Sequence, residues 1–301
     1  MGILTVISQN EILCQIELAE KMGYQRDAKL LIMHADDLGV SHSVNQASIE
    51  AFKSGGISSS SIMVPCPWFS EIAQFASEHP EYCWGLHLTL TSEWKYYKWD
   101  GVASSDRIGS LLNESGHFYD NVPEFVENAK LDEVETELRA QIEKAIYAGV
   151  PVSHLDSHMG ALFANEDLFD IYVKMGNEYE LPVLIPGRMA PPSWNLSEKL
   201  GPIQYPVDNL LMMDKIIPDW TEMYDQLLSR VQPGLNEIIV HLGYDDDEMQ
   251  AIMIDHPAFG SEWRQKDLHY VLSDHFQGRL KEHNIHLVSW RDIRTAMLSD
   301  K

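Results

Sequence analysis

Cysteine is scarce. The 301-residue chain has three, Cys14, Cys66 and Cys83, an odd number, widely separated and without a CxxC pair. That spacing supports neither a disulfide framework nor a thiolate zinc site, and leaves the thiols as small buried apolar side chains. Basic residues are few as well: 22 Lys and Arg stand against 46 Asp and Glu, a formal net charge of −24. A surface of that sign repels phosphate backbones and anionic lipid, so neither nucleic acid nor a membrane surface is an expected partner. No stretch approaches the roughly 18 consecutive apolar residues of a membrane span. The segment Met1-Gly2-Ile3-Leu4-Thr5-Val6 has no basic region ahead of its short apolar run, and a cytoplasmic location is the expectation. Internal repeats, low-complexity tracts and Gly/Ser linkers are also missing, and 45% hydrophobic with 23% charged residues excludes disorder as a whole-chain description.

What is present, from residue 29 onward, is an alternation of short Val/Ile/Leu-rich runs with longer segments of helical period. The runs predict strands at Leu30–Met33, Ser60–Val64, Cys83–Leu90, Val152–Asp156, Pro182–Ile185, Glu237–Leu242 and His286–Trp290. The periodic segments predict helices over Ser43–Lys53, Trp68–Glu78, Asp132–Ala148, Asp167–Glu178, Asp219–Val231, Ser261–Glu282 and Ile293–Leu298. This is an α/β pattern of βα units around a parallel sheet, and about seven such units in one domain spanning 1–301 predict a barrel, regular or distorted. Residues 1–28 read as an N-terminal helical extension beneath it, from Ile7, Ile12, Ile16 and Met22 among polar residues. Residues 91–130 and 186–218, the latter with six of the 14 prolines, read as loop insertions, and 245–256 as an acidic loop.

Chemistry in such barrels sits at the C-terminal ends of the strands, and polar residues collect there. The first strand runs directly into His34-Ala35-Asp36-Asp37. Two adjacent carboxylates repel unless a cation neutralises them, so the pair is either a metal site or a solvated turn. His87 lies inside the apolar alternation Trp84-Gly85-Leu86-His87-Leu88, as a metal ligand or as a satisfied core histidine. The run His154-Leu155-Asp156-Ser157-His158 is harder to explain as packing. In extended chain its two histidines are about 13 Å apart, too far to share one ion. His158, nearer the strand end, is the better ligand, leaving His154 and Asp156 to orient ligands by hydrogen bonds. One Asp with two His leaves positions open for water and substrate, as catalytic metals require. A later strand ends in His241, free for proton transfer, followed by Asp245-Asp246-Asp247-Glu248, which reads as an exposed acidic turn.

With Asp36-Asp37, Gly85-Leu86-His87-Leu88 and His154-Leu155-Asp156-Ser157-His158 in that order, the chain resembles the YdjC family of carbohydrate deacetylases. Val44-Asn45-Gln46-Ala47, His241-Leu242-Gly243-Tyr244 and the segment around Arg264 extend the likeness over roughly nine-tenths of the chain. The resemblance implies a distorted (β/α) barrel related to the polysaccharide deacetylases, one divalent metal ion, and removal of an N-acetyl group from an amino sugar or short chitooligosaccharide. It implies Asp37, His87 and His158 as metal ligands, Asp36 as general base and His241 as the acid, with Arg188 as a candidate partner of Asp36. The family usually writes its last motif His-Pro-Gly, where Leu242 stands here, and follows Asp-Ser-His with another histidine, which Met159-Gly160-Ala161-Leu162 lacks.

The ligand types favour zinc, with magnesium or manganese as alternatives. Trp94, Tyr96, Tyr97 and Trp99 are candidates to stack on sugar faces or to pair copies of the chain into a homo-oligomer. Two other readings stay open at this point: a metallohydrolase of the same fold acting on another amide or an ester, and a non-catalytic sugar-binding protein.

Overall fold

The computed structural model describes residues 18–187, 190–213, 219–256 and 258–298. Seven strands form one parallel sheet: β1 (Lys29–Leu38), β2 (Ser59–Ile62), β3 (Trp84–Leu88), β4 (Val152–Ser157), β5 (Asn209–Met212), β6 (Gly234–Val240) and β7 (Ile285–Leu287). Their order is β4-β3-β2-β1-β6-β5, with β7 beside β1. Two isolated bridges continue the pairing across the gap, Leu155 with Val183 and Pro186 with Val207. The segment Pro182–Ile185, expected as a strand, is therefore not a regular one. It serves as an irregular stave between β4 and the chain entering β5, and with it the backbone pairing runs full circle as a distorted barrel. No helix of the described residues is long and apolar enough to cross a membrane.

Period-two alternation sorts the side chains of each strand. On β1, Leu31, Met33 and Ala35 pack outward among the helices, whereas Leu30 and Ile32 join Cys83, Leu184, Val207, Leu235 and Trp290 in a smaller cluster within the ring of strands. Leu18 and Ala19, the first described residues, are buried against that inner cluster. Residues 1–17, with Cys14 and most of the expected N-terminal helix, lie outside the described residues. Continuing the alternation up β1 puts His34 and Asp36 on the inner side, above the apolar floor.

Several elements differ from expectation. Strand β5 arises inside the 186–218 insertion, where a four-residue run, Asn209-Leu210-Leu211-Met212, is too short to stand out beside six prolines. The long helix expected over 261–282 is two, Ser261–Val271 and Asp274–Glu282, because the Ser273 side chain accepts from Phe276 N and opens a new helix. The last strand is shorter than expected, and Trp290 already belongs to the helix Trp290–Leu298. The acidic run is no mere turn. Asp246 caps the helix Asp247–Ile252, and Glu248 Oε2 accepts from Ser43 N at 2.8 Å, at the amino end of the helix His42–Ser54. A carboxylate there offsets the positive end of the helix dipole.

Candidate metal centre

Asp36 and Asp37 would face opposite sides of a regular strand. The register between β1 and β2 shifts between Ala35 and Leu38, and Asp37 has φ 68, left-handed backbone that non-glycine residues seldom adopt. This kink turns both carboxylates into one cavity. Gly39, at φ +92, completes the turn, and a Cβ there would stand 3.0 Å from Met63 O. His87 comes from β3, in register with Asp156 on β4. After Ser157 the chain leaves extended geometry, with Met159 at φ 52, so His158 swings over the mouth while His154 stays below.

Asp37, His87 and His158, all buried, can each offer one ligand atom within 4.8 Å of the others. His87 Nε2 and His158 Nδ1 each lie 3.5 Å from Asp37 Oδ1. That oxygen is buried and has no hydrogen-bond partner. The far nitrogen of each ring is anchored by a carboxylate: His87 Nδ1 donates to Asp156 Oδ1 at 2.5 Å, and His158 Nε2 to Glu93 Oε2 at 3.0 Å. Such anchoring fixes the tautomers and aims the free lone pairs at one point. An unsatisfied carboxylate oxygen facing two oriented imidazoles fits a divalent ion, with the nitrogen ligands that suit zinc. A second oxygen of the same aspartate, Asp37 Oδ2, accepts from Arg264 Nη2 at 2.7 Å.

The charges explain the titration of the site. Burial would raise the Asp37 carboxyl, but Arg264 and the nearby histidines hold it well below the usual range. Burial opposes protonation of His158, yet Glu93 and Asp37 push it up to about 10. His87 is also raised, against burial, by Asp156 and Asp36. His241, in contrast, is lowered to about 4, chiefly by burial and against the pull of Asp37. Its backbone N–H donates to the buried Asp267 at 3.0 Å, and its ring packs on Phe259.

Below the triad sits a polar column. His34 Nε2 lies 3.0 Å from Asp36 Oδ1 and 2.9 Å from Asp156 Oδ2, and Ser61 Oγ donates to Asp36 Oδ1 at 3.2 Å. Burial lowers the His34 pKa, but Asp156 and Asp36 outweigh it and raise it well above its ordinary value. Asp36 is thus tied to the carboxylate that orients His87. Beneath His34, at 3.6 Å from its Nδ1, is the buried Glu237, whose carboxyl burial pushes up to about 8.

The structure gathers Asp36, Asp37, His87, Asp156, His158 and His241 around one cavity of about 700 Å³. His154 stands apart: its Nδ1 pairs with Ser153 Oγ, its ring stacks on Trp290, and it makes no hydrogen bond to a candidate ligand. Arg188 lies outside the described residues. Of the four aromatic residues of the first insertion, Trp94 lines the cavity, Trp99 is buried, Tyr97 donates to Val40 O, and Tyr96 is exposed. Sequence reasoning gave no role to His34, Glu93 or Glu237, and none within the site to Arg264.

Residues 30–282 match the family model described as YdjC-like protein. A carbohydrate deacetylase of Thermoanaerobacter pseudethanolicus is 30% identical over 224 residues, 74% of this chain and 85% of the relative. A carbohydrate deacetylase of Thermus thermophilus is 28% identical over 288 residues, covering 94% of this chain and 100% of the relative. Among solved structures, a protein of Enterococcus faecalis V583, described as a candidate cellobiose-phosphate cleavage protein, superposes with TM-score 0.76 at 26% identity. That superposition covers 88% of this chain and 99% of the other. The match across most of the chain, on a barrel that brings these residues together, places this chain in the YdjC-like family.

Proposed function

We propose that the protein is a metal-dependent carbohydrate deacetylase, hydrolysing the N-acetyl group of an amino sugar or short chitooligosaccharide. The observation that carries the reading is the buried, unpartnered Asp37 Oδ1 facing His87 Nε2 and His158 Nδ1 at 3.5 Å each. The names borne by its relatives point to the same reaction. Asp37, His87 and His158 would hold one divalent ion, zinc by ligand type, which when bound polarises a carbonyl and lowers the pKa of water. Asp36, its Oδ1 fixed by His34 and Ser61, is the base that takes the proton of the attacking water. His241, neutral at rest because it is buried, is the acid: the proton that Asp36 takes from the water is relayed to it and passed to the departing nitrogen, which returns Asp36 to its ionised form and His241 to its neutral one. Asp36, Asp37, Glu93 and Asp156 line the cavity, and among the described residues one guanidinium, Arg264, itself bound to Asp37, faces them. This balance favours a product that leaves as an ammonium ion.

Acetate release from N,N′-diacetylchitobiose tests the assignment. Asp36→Asn should lower kcat by about 10²–10⁴, the usual worth of a positioned base, with zinc still bound stoichiometrically. His241→Ala should do the same. Retained turnover in Asp36→Asn would remove the base from the scheme.

A further inference from the structure

The cavity holds more than an acetyl group needs, and most of its wall among the described residues is apolar. Away from the metal centre it is built by Phe163, Leu184, Trp194, Leu210, Met212 and Ile239. An amino sugar carries hydroxyls on most of its carbons, and desolvating them without partners is costly. Among the described residues few polar groups line the cavity beyond the metal centre, and several of these are at least partly engaged. Ser157 Oγ accepts from Leu162 N at 3.0 Å, Glu93 takes His158, and His256 Nδ1 pairs with Ala258 O. Two methionines stand half out in solvent at this cavity, Met159 at 49% and Met212 at 47%. Met159 is held there in left-handed backbone immediately after a candidate ligand. Exposed flexible apolar side chains beside a polar centre mark a surface that adapts to an apolar guest.

We infer that the substrate is an amino-sugar amide carrying an apolar chain, which lies along this wall while the amide reaches Asp37, His87 and His158. The inference rests on the deacetylase reading and adds its substrate class. The bond broken is the amide C–N; water's oxygen ends on the acyl carbon and its protons on the amine. The chain belongs either to the anomeric oxygen or to the acyl group, and the two sources separate by experiment.

Amine release from the zinc-loaded protein is measured for methyl 2-acetamido-2-deoxyglucoside, its octyl counterpart and N-octanoylglucosamine, each below its micellar concentration. A buried methylene contributes about 0.8 kcal/mol, close to fourfold, so kcat/KM for one octyl compound should exceed the methyl glycoside's by at least about tenfold. The octyl glycoside winning places the chain at the anomeric carbon; N-octanoylglucosamine winning places it on the acyl side and replaces the deacetylase reading with an N-deacylase of longer acyl groups. Substituting Leu210→Gln with Met212→Gln should shrink that ratio several-fold. Equal kcat/KM, or poorer turnover of both octyl compounds, overturns the inference and leaves the deacetylase reading standing. If no compound releases amine, that reading falls, and calorimetric binding decides the inference. At least tenfold tighter binding of an octyl compound, weakened by the double substitution, supports it; equal binding overturns it.

Discussion

At the scale of single residues, protons and the metal compete for the same atoms. Without an ion, Glu93 and Asp37 push the His158 imidazole up to about 10, so at neutral pH it carries the proton that metal binding must displace. Zinc affinity should therefore rise with pH, by at least about one decade per unit between about pH 6 and 8, measured by competition with a chelator. A flat profile would mean that His158 is not a ligand. Glu237 gives the matching prediction for stability. Its carboxyl is pushed up to about 8 from an ordinary 4.5, so in the folded state it is protonated where the unfolded chain is ionised. Its contribution is intact below about 4.5 and is lost as pH rises through about 8. Glu237→Gln should leave the melting temperature near the parent's at pH 5 and raise it by several degrees at pH 8; an unchanged difference at both would contradict the burial argument. Asp36, Asp37, His87 and His158 were legible because strand ends are poor places for ionisable groups unless chemistry needs them. Arg264 and Glu93 were not. Arg264 lies 227 residues from Asp37 in the chain, and Glu93 sits in a loop, where a carboxylate needs no explanation.

At the scale of elements, the strands work as rulers and their interior positions as shelves. Gly85 on β3 illustrates the tolerance: a Cβ there would lie 2.3 Å from His154 Cε1. The His154 ring cannot retreat, being stacked on Trp290 at 5.3 Å. Gly85→Ala should destabilise the protein by about 1–3 kcal/mol in denaturant unfolding. It should also weaken zinc binding, since His87 is two residues along the same strand. A neutral result would show that the ring has room. Most helices were readable from their apolar spacing, with ends within a few residues, because each buries one stripe against the sheet. The break at Ser273 was hidden, since the spacing runs on through it and only a side-chain cap interrupts the backbone. Pro182–Ile185 was legible as a strand, but its irregularity, like the existence of β5, was hidden for another reason. Their pairing depends on closing the ring, a long-range condition that a local pattern does not carry.

At the scale of the whole molecule, a barrel floored by apolar residues narrows the question to its mouth. The inner column passes from Leu30 and Ile32 through Glu237 and His34 to Asp36, so the electrostatic strain is concentrated beneath the candidate ligands rather than spread over the surface. The formal charge of −24 suits release of a cationic amine and disfavours anionic substrates. The central claim is that Asp37, His87 and His158 form one metal centre on which amide hydrolysis depends. Its most direct test is acetate release from N,N′-diacetylchitobiose as zinc is titrated into chelator-stripped protein. The account predicts no turnover without metal, a linear rise that stops at one equivalent, and loss of the response in Asp37→Asn. Full turnover by the stripped protein, or an unaltered titration in Asp37→Asn, would contradict it.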